Sequence, residues 1–236
     1  MAKLILVGLP LGNIEDISFR VLNSLFSAEC IAAEDTRNYL KIKSIVKQRY
    51  SETFKEIDFD KRPELISYRE QNHTNSSKRI IERILSGVDV YLMSDAGMPA
   101  ISDPGFRLVE ECIQNNIEVD VLPSATAVDT ALVLSGLPTD RFCFIGFLSR
   151  QESKIVRSIE SAKEFTVVFY ESPYRIKKSL EIIAKNYPEA GVALCNDLTK
   201  KFQKIIRGSI SEVLKELETT KVQGEWVGVL RVESLS

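Results

Sequence analysis

Histidine is almost absent from this chain, which has only His73 among 236 residues. We therefore expect neither a His-based catalytic triad nor a metal site built from several histidines. The cysteines are few and show no C-x-x-C spacing, which is typical of reduced, buried thiols in a cytosolic protein. They are Cys30, Cys112, Cys143 and Cys195. A P-loop motif is also missing.

Long apolar runs are missing as well. The first run, Lys3 to Leu9, stops at Pro10 and lacks the length and the cleavage site of a signal peptide. No stretch reaches the roughly 20 apolar residues that a membrane-spanning helix needs. We therefore expect a cytoplasmic protein with no membrane partner.

Neither sign of charge is in large excess, since 33 acidic and 31 basic residues give a net charge of −2. A general electrostatic attraction to nucleic acid is thus not expected, and an RNA partner would need local basic patches or recognition by shape. Clusters of basic residues in a sequence more often form solvated surfaces than binding sites, but one set of cations could form such patches. It comprises Arg175, Lys177, Lys178, Lys200, Lys201, Lys204 and Arg207.

Short β-rich runs alternate with helical patterns along the chain, which is typical of α/β architecture. The continuous apolar run at Lys3–Leu9 predicts a parallel strand covered on both faces. We place a domain boundary near Pro123, which gives an N-terminal α/β domain, 1–122, and a C-terminal α/β domain, 123–236.

The two domains are predicted to differ in their sheets. The strands expected at Gly191–Asn196 and Phe202–Arg207 are only a few residues apart, so no helical crossover can join them as parallel neighbours. We therefore predict a mainly parallel sheet in the first domain and a mixed sheet in the second.

Capping residues predict several helix starts. Asn13 is expected to cap one helix and Asn75 or Ser76 another. The polar stretch 47–62 has weak periodicity and predicts a loop or an irregular helix.

Two Pro dipeptides are predicted to open helices, because proline is tolerated in the first helical turn. These are Asp103-Pro104, in which Asp103 would be the cap, and Ser172-Pro173.

Ligands of open α/β sheets bind beyond the carboxyl ends of the strands, and four loops in such positions carry unusual residues. They are Leu9–Asn13, Ala33–Arg37, Ser94–Gly105 and Phe169–Arg175. Glycine-rich loops combined with acids suit a nucleoside-like cofactor. Asp95 follows a buried strand directly and has no capping duty, so it is a candidate for hydrogen bonds to a polar ligand.

Each loop also has a purely structural interpretation, which for the third is the helix cap at Asp103. The first would be a tight strand-to-helix turn. In the second, Asp35 or Thr36 would cap a helix while Arg37 forms an ion pair. In the fourth, Glu171 and Arg175 would form a local pair one helical turn apart.

At these loops the sequence strongly resembles the bacterial 16S ribosomal RNA 2′-O-ribose cytidine methyltransferases called RsmI, within the tetrapyrrole-methylase superfamily. The resemblance covers nearly the whole chain. Its segments are LPLGNIEDIS from Leu9, AEDTR from Ala33, SDAGMPAISDPG from Ser94, GLPTDRF from Gly136, FYESPYR from Phe169, DLTKKF from Asp197, RGS from Arg207 and GEWV from Gly224.

The resemblance implies two α/β domains with S-adenosylmethionine in the cleft between them, usually in a homodimer. It implies no metal, and a substrate that is 16S rRNA or the 30S ribosomal subunit. The cofactor residues that it implies are Pro10, Gly12, Ser94, Asp95, Ala96, Gly97, Met98, Pro99, Ser124, Ala125, Leu137, Tyr170 and Ala193.

The chain departs from the family pattern at several points. Leu122–Ala127 reads LPSATA where the family usually has LPGPSA, and Met98 replaces a usual Thr. Arg69 and Gln71 stand where histidines are common. The resemblance also implies a further small C-terminal region, and this sequence ends soon after GEWVGVLRV.

For catalysis, a ribose hydroxyl needs a base or a nearby cation. The hypothesis is that Glu34, Asp35 or Glu171 acts as the base or orients it, and that Arg37 or Arg175 holds a phosphate. Two alternatives stay open: a methylase acting on a tetrapyrrole or another small molecule, and a non-catalytic protein that binds S-adenosylmethionine.

Overall fold

The computed structural model describes residues 1–55 and 57–232. The chain divides into two compact units, Met1–Ala125 and Thr126–Ser236. The boundary expected from the sequence lay between Leu122 and Pro123.

The first unit is built on a five-stranded parallel sheet with the strand order β3-β2-β4-β1-β5. Its elements in chain order are β1 Leu4–Val7, a 3-10 helix Ile14–Asp16, α1 Phe19–Ser27, β2 Cys30–Ala33, α2 Thr36–Tyr50, β3 Glu64–Ser67, α3 His73–Leu85, β4 Val90–Met93, α4 Phe106–Gln114 and β5 Val119–Leu122. The parallel sheet predicted for this half is confirmed.

Both faces of this sheet are covered by helices, as its apolar strands require. Successive strand residues alternate between two cores: Ile31 and Ala33 belong to the core under α1 and α2, and Cys30 and Ala32 to the core under α3 and α4. The carboxyl edge of the sheet is left to the connecting loops.

The stretch 47–62 is more ordered than predicted at its start, because α2 continues to Tyr50. Beyond it the chain forms turns whose aromatic side chains reach back to the core. The Phe59 ring lies 5.3 Å from that of Phe26, and the Phe54 ring lies 5.0 Å from that of Phe19.

The cap predicted at Asn75 or Ser76 is wrong, since α3 begins at His73 after Asn72. The Asn72 Oδ1 accepts a 2.7 Å hydrogen bond from the Arg69 amide, and the Ser76 hydroxyl donates to the Ser67 carbonyl at 2.8 Å. Ser76 therefore ties the helix to the preceding strand from inside its first turn.

The helix starts predicted at the two Pro dipeptides are also wrong. Helix α4 begins at Phe106 after Gly105, whose φ of 146° interrupts the helical path that Pro104 was expected to open. In the second unit, the Ser172 carbonyl accepts from the Arg175 amide in a turn, and the helix that follows begins only at Ile176. Asn13 caps the short 3-10 helix, while Ser18 caps α1.

The second unit has a five-stranded mixed sheet with the order β6-β7-β10-β8-β9, in which only β6 and β7 pair in parallel. Its elements are α5 Ala127–Ser135, β6 Phe142–Phe147, α6 Glu152–Glu160, β7 Thr166–Glu171, α7 Ile176–Asn186, β8 Gly191–Asn196, β9 Lys204–Ser209, α8 Ile210–Thr219 and β10 Trp226–Arg231. The predicted mixed sheet is confirmed.

Helices α6, α7 and α8 cover one face of this sheet and share its core, and α5 packs against β8 and β10. In the described part of the chain, no helix has the length and apolar character needed to cross a membrane.

Candidate functional site

Three loops meet at the carboxyl edge of the first sheet. The Gly8 amide donates to the Leu122 carbonyl at 2.8 Å, and the Leu9 amide donates to the Gly97 carbonyl at 2.8 Å. The Ser124 hydroxyl donates to the Leu9 carbonyl at 3.0 Å. The loops after β1, β4 and β5 are therefore fixed to one another by two main-chain hydrogen bonds and one from a side-chain hydroxyl.

Gly8 makes this convergence possible and was not singled out from the sequence. A Cβ at this position would stand 2.5 Å from the Met98 Sδ and 2.7 Å from the Ser124 Cβ, which real Cβ atoms do not tolerate. The available signal was a glycine directly after a buried strand, which often marks a close approach of backbone.

The Ser94–Gly105 loop has an unusual backbone. Gly97 and Gly105 have φ values of 66° and 146°, and the non-glycine residues Ala100 and Ser102 have φ values of 69° and 61°. A non-glycine residue in the left-handed region costs of order 1–3 kcal/mol and is enriched at functional sites. The density of such residues here exceeds what a simple connection needs.

The residues expected to bind a cofactor in this unit line the convergence to different degrees. Pro10, Ser94, Gly97 and Pro99 are buried, Ala96, Met98 and Ser124 are half-buried, and Gly12, Asp95 and Ala125 are exposed. The Ser94 hydroxyl donates to the Ala96 carbonyl at 3.0 Å, which holds the turn that follows β4.

Glu34 lies beside this convergence, at the end of β2. Burial raises the pKa of its carboxyl, the negative charge of Asp95 raises it further, and the guanidinium of Arg69 lowers it. Arg69 also donates from Nε to the Glu34 carbonyl at 2.8 Å. The Asn38 side chain donates to the Asp95 carbonyl at 2.8 Å, which links α2 to the loop after β4.

Asp35 adopts the structural role that the sequence left open. Its carboxylate caps α2 by accepting from the Arg37 amide at 2.9 Å, and it also accepts from the Arg37 Nε at 2.9 Å. These hydrogen bonds lower the pKa of Asp35 to about 2. The Arg37 side chain remains 84% exposed, so the part of its guanidinium that does not face Asp35 is open to a ligand.

Glu171, in the second unit, is buried and bound on all sides. Its carboxylate accepts from the Arg175 Nη2 at 2.9 Å, the Ser179 hydroxyl at 2.6 Å and the Ser172 amide at 2.8 Å. Arg175 also donates to the carbonyls of Leu148 and Ser149. The local Glu–Arg pair anticipated as the structural alternative is therefore present, and both side chains are engaged by it.

The other expected cofactor residues of this unit lie on β7, β8 and the end of α5. The Tyr170 ring packs edge-on against the rings of Phe144 and Phe147, at centroid distances of 4.8 and 5.4 Å. Ala193 is fully buried. The Leu137 amide donates to the Ser135 hydroxyl at 3.0 Å.

The surroundings of the buried cysteine thiols do not favour the reactive thiolate form. Cys30, Cys112 and Cys195 are buried, and burial raises the pKa of each to about 11. Cys143 is half-buried and free.

Known proteins resemble this chain closely. The profile of the family Tetrapyrrole (Corrin/Porphyrin) Methylases matches residues 3–214. The chain is 40% identical over 225 residues to the Ribosomal RNA small subunit methyltransferase I of Halalkalibacterium halodurans, across 94% of this chain and 73% of that protein. With the protein of the same name from Thermotoga maritima it shares 38% identity over 232 residues, which is 98% of each chain.

A solved structure shares the fold. The uroporphyrin-III C-methyl transferase from Thermus thermophilus, complexed with S-adenyl homocysteine, superposes with a TM-score of 0.65 at 14% identity, covering 98% of this chain and 97% of that one.

The relatives differ in length, since the alignment spans 98% of the Thermotoga protein and 73% of the Halalkalibacterium protein. The further C-terminal region that the resemblance implied is thus not common to all of them. At these identities and coverages, the chain belongs to the tetrapyrrole methylase family and, within it, to the ribosomal RNA small subunit methyltransferases I.

Proposed function

We propose that this protein transfers a methyl group from S-adenosylmethionine to the ribose 2′-oxygen of a cytidine in the decoding region of 16S ribosomal RNA. The observation that carries the proposal is the 38–40% identity, over nearly the whole chain, to proteins named as small-subunit ribosomal RNA methyltransferases. The choice of a ribose oxygen, and of a cytidine, as the methylated group rests on the resemblance of the sequence to the RsmI family.

The cofactor is assigned to the carboxyl edge of the first sheet. Its support is the convergence of three loops around Gly8, and the S-adenyl homocysteine in a protein of the same fold. When bound, S-adenosylmethionine supplies an electrophilic methyl group on a positively charged sulfur. The proposed contacts in this unit are Pro10, Gly12, Ser94, Asp95, Ala96, Gly97, Met98, Pro99, Ser124 and Ala125, and those in the second unit are Leu137, Tyr170 and Ala193.

The charges near this edge fit such a cofactor. Asp95 is close enough to Glu34 for its charge to raise the pKa of the Glu34 carboxyl, and Arg69 is the cation that opposes this effect. Glu34, Asp35 and Asp95 are three carboxylates that interact with only two guanidinium groups, those of Arg37 and Arg69, and the excess of negative charge favours a cationic ligand.

Glu34 is assigned as the base that accepts the proton of the ribose hydroxyl. A carboxylate whose pKa is raised by burial is a stronger base than an ordinary one, and efficiency grows as that pKa approaches the working pH. Asp35, with a pKa of about 2, is a weak base, and Glu171 is held by three donors. We therefore give Asp35 and Glu171 structural roles.

Arg37 is assigned to a phosphate of the RNA. Its guanidinium is exposed yet oriented by Asp35, so little ordering remains to be done on binding. Arg175 is less suitable, because its Nη2 is already held by Glu171 and two carbonyls and its side chain is only 30% exposed.

We also propose, from the resemblance, that the protein is a homodimer. Light scattering of the purified chain would give a mass of twice 26.6 kDa, and a monomer at assay concentration would remove this part of the proposal.

The function is tested by labelled methyl transfer from S-adenosylmethionine to 30S subunits that lack native ribose methylation, followed by mapping of the modified nucleotide. We expect label on a ribose 2′-oxygen in the decoding region. Methylation of a tetrapyrrole without any RNA would replace the proposal by small-molecule chemistry. Cofactor binding without transfer to any acceptor would make the protein a non-catalytic binder.

A further inference from the structure

One edge of the second sheet collects several connections that are far apart in the sequence. Strands β6 and β7 run in parallel and end together, with Phe147 paired to Tyr170. Strand β10 begins at the same edge, because Trp226 pairs with Glu171, and β8 ends there, because Asn196 pairs with Trp226. The β8–β9 connection therefore lies beside the segments that follow β6 and β7.

Three large aromatic side chains are exposed at this edge. Phe147 is 61% exposed, Tyr174 is 96% exposed and Phe202 is 75% exposed. The Phe147 ring packs edge-on against the Tyr170 ring. Phe147 is the last residue of β6, Tyr174 follows β7 and Phe202 lies between β8 and β9, so the three rings are distributed along the edge.

Cations accompany these aromatics. Lys201 lies over the Phe202 ring, with its Nζ 5.5 Å from the centroid. Arg150, Lys177 and Lys178 occur in the segments after β6 and β7, and all three are exposed. Across residues 1–55 and 57–232, no ion pair of 4.0 Å or less engages these four cations.

The carboxylates at this edge are all paired, and the one negative charge left over, because Lys200 serves two of them, is outweighed by the four cations. Arg175 binds Glu171, and Lys200 binds both Asp197 and Glu225, at 3.0 and 2.7 Å. The exposed edge therefore presents positive charge between aromatic rings, even though the chain as a whole has a net charge of −2.

We infer that this edge, with Phe147, Tyr174 and Phe202 as stacking rings and Arg150, Lys177, Lys178 and Lys201 as phosphate contacts, binds single-stranded RNA. The inference rests on the proposed function, which makes ribosomal RNA the substrate. Bases can stack on isolated rings only when they are unpaired, and cations beside the rings follow the backbone. Four strand spacings of about 4.8 Å make the edge about 19 Å wide, enough for several nucleotides.

Separated rings interleaved with charge favour RNA over a protein partner, whose docking site would be a contiguous apolar patch with few charges at its centre. Duplex RNA is disfavoured because its bases are already stacked on one another.

The test measures binding of a labelled 12-nucleotide RNA of mixed sequence by fluorescence anisotropy, without cofactor, for the full chain and for Tyr174→Ala, Phe202→Ala and the double variant. Each substitution should weaken binding about fivefold or more, while the same RNA annealed to its complement should bind weakly to all. The matched control is Phe106→Ala on α4, where the side chain is 68% exposed, and its affinity should equal that of the unmodified chain.

Salt dependence tests the phosphate contacts. Lys201→Gln should reduce the slope of log affinity against log salt by about 0.7, the loss of one phosphate contact to a single strand. The control Lys215→Gln, at an exposed position on α8, should leave the slope unchanged.

Equal affinity of the double variant and the unmodified chain, or equal binding of single strand and duplex, would overturn the inference. So would a changed oligomeric state of the double variant, which would mean that a second copy covers the edge. Because the assay needs no methyl transfer, a failure of the proposed reaction leaves its result readable. Normal methylation of 30S subunits by the double variant, at unchanged KM, would reject the RNA-binding role of this edge and leave the proposed reaction in place.

Discussion

Ser124 lies so close to Gly8 that a Cβ on the glycine would stand 2.8 Å from the Ser124 backbone nitrogen. The contact joins the ends of β1 and β5, and the Met98 side chain closes the same position from the loop after β4. The geometry of the proposed cofactor edge therefore depends on the absence of one methyl group.

Gly8→Ala should lower the free energy of unfolding by about 1–3 kcal/mol through overpacking. It should also weaken S-adenosylmethionine binding about tenfold, which corresponds to about 1.4 kcal/mol, because the loops must separate. Denaturant titration and calorimetry measure the two effects. The double variant with Met98→Ala should not recover affinity, since the Ser124 backbone still obstructs the new methyl group; full recovery would mean that the flexible Met98 side chain was the real obstacle.

Glu34→Gln should reduce turnover by about 10²–10⁴-fold, the usual contribution of a general base, and weaken the calorimetric affinity for S-adenosylmethionine by a much smaller factor, through the loss of one negative charge. In the unmodified enzyme, the rate should rise with pH through the raised pKa of Glu34. Because the charge of Asp95 contributes to that rise, Asp95→Asn, assayed at saturating cofactor, should move the acid limb to lower pH. An acid limb that keeps its position in Asp95→Asn and persists in Glu34→Gln would remove Glu34 from the mechanism.

The same group predicts a pH effect on stability. A carboxyl with a raised pKa in the folded state contributes stability below its unfolded value of 4.5 that is lost as the pH rises through the folded pKa. Glu34→Gln should therefore unfold at a higher temperature than the unmodified chain at neutral pH, and the advantage should shrink below pH 4.5. Thermal melts across that range measure it, and an advantage that is independent of pH would contradict the assignment.

Asp35→Ala should destabilise the chain by about 1 kcal/mol by removing the α2 cap, whereas Asp35→Ser, which can still cap, should cost much less. At saturating RNA, turnover of Asp35→Ser should stay near that of the unmodified enzyme, since a carboxylate with a pKa of about 2 is a poor base. The KM for RNA should rise, because Arg37 loses the carboxylate that orients it. Chemical denaturation and the methyl-transfer assay provide the measurements. A stable but inactive Asp35→Ser would transfer the role of base to Asp35.

Glu171→Ala should lower the free energy of unfolding by about 3 kcal/mol, near the lower end for breaking a buried pair, because Arg175 is 30% exposed. Glu152→Ala is the matched control: Glu152 pairs with Lys185 at 2.9 Å, but the two side chains are 49% and 72% exposed. The control should cost less than about 1 kcal/mol. Similar losses in the two variants would mean that the Glu171 pair stabilises no more than a surface pair.

Gly228→Ala should destabilise the second unit by about 3 kcal/mol or more. Gly228 on β10 pairs with Phe169 on β7, and a Cβ there would overlap the buried Phe169 ring. Gly191→Ala is the control, because its Cβ would meet nothing nearer than the Leu137 Cδ2 at 3.4 Å. Near-equal denaturation midpoints for the two variants would show that the Phe169 ring can move aside.

Strands were the part of the fold that the sequence predicted well. Gly191–Asn196 has the bounds expected from its composition, because buried strands form short, continuous apolar runs. The strand expected at Phe202–Arg207 is present but begins and ends two residues later, at Lys204–Ser209. Helix starts were less predictable. At Pro104 and Pro173 the local rule favoured a first helical turn, but the positive φ of Gly105 and the turn that closes on Ser172 delay α4 and α7.

In the candidate site, too, the local features could be predicted from the sequence and the long-range contacts could not. The capping role of Asp35 is local, so it appeared among the alternatives read from the sequence. The closeness of Gly8 to Ser124, and the effect of Asp95 and Arg69 on Glu34, depend on loops that are far apart in the chain. Periodicity and capping rules describe neighbours in the sequence and do not contain that information.

The position of β1 has a consequence for how the protein is made. This strand is synthesised before the other four strands of its sheet, yet it lies between β4 and β5, and Leu4 pairs with both Val90 and Val119. Until translation has passed Leu122, β1 lacks its second neighbour, and the bond from Ser124 to Leu9 cannot form. A nascent chain therefore exposes an apolar strand with an unpaired edge for most of the synthesis of its first half. Pausing of the ribosome before that point prolongs the exposure, so the yield of folded enzyme should depend on uninterrupted elongation through β5.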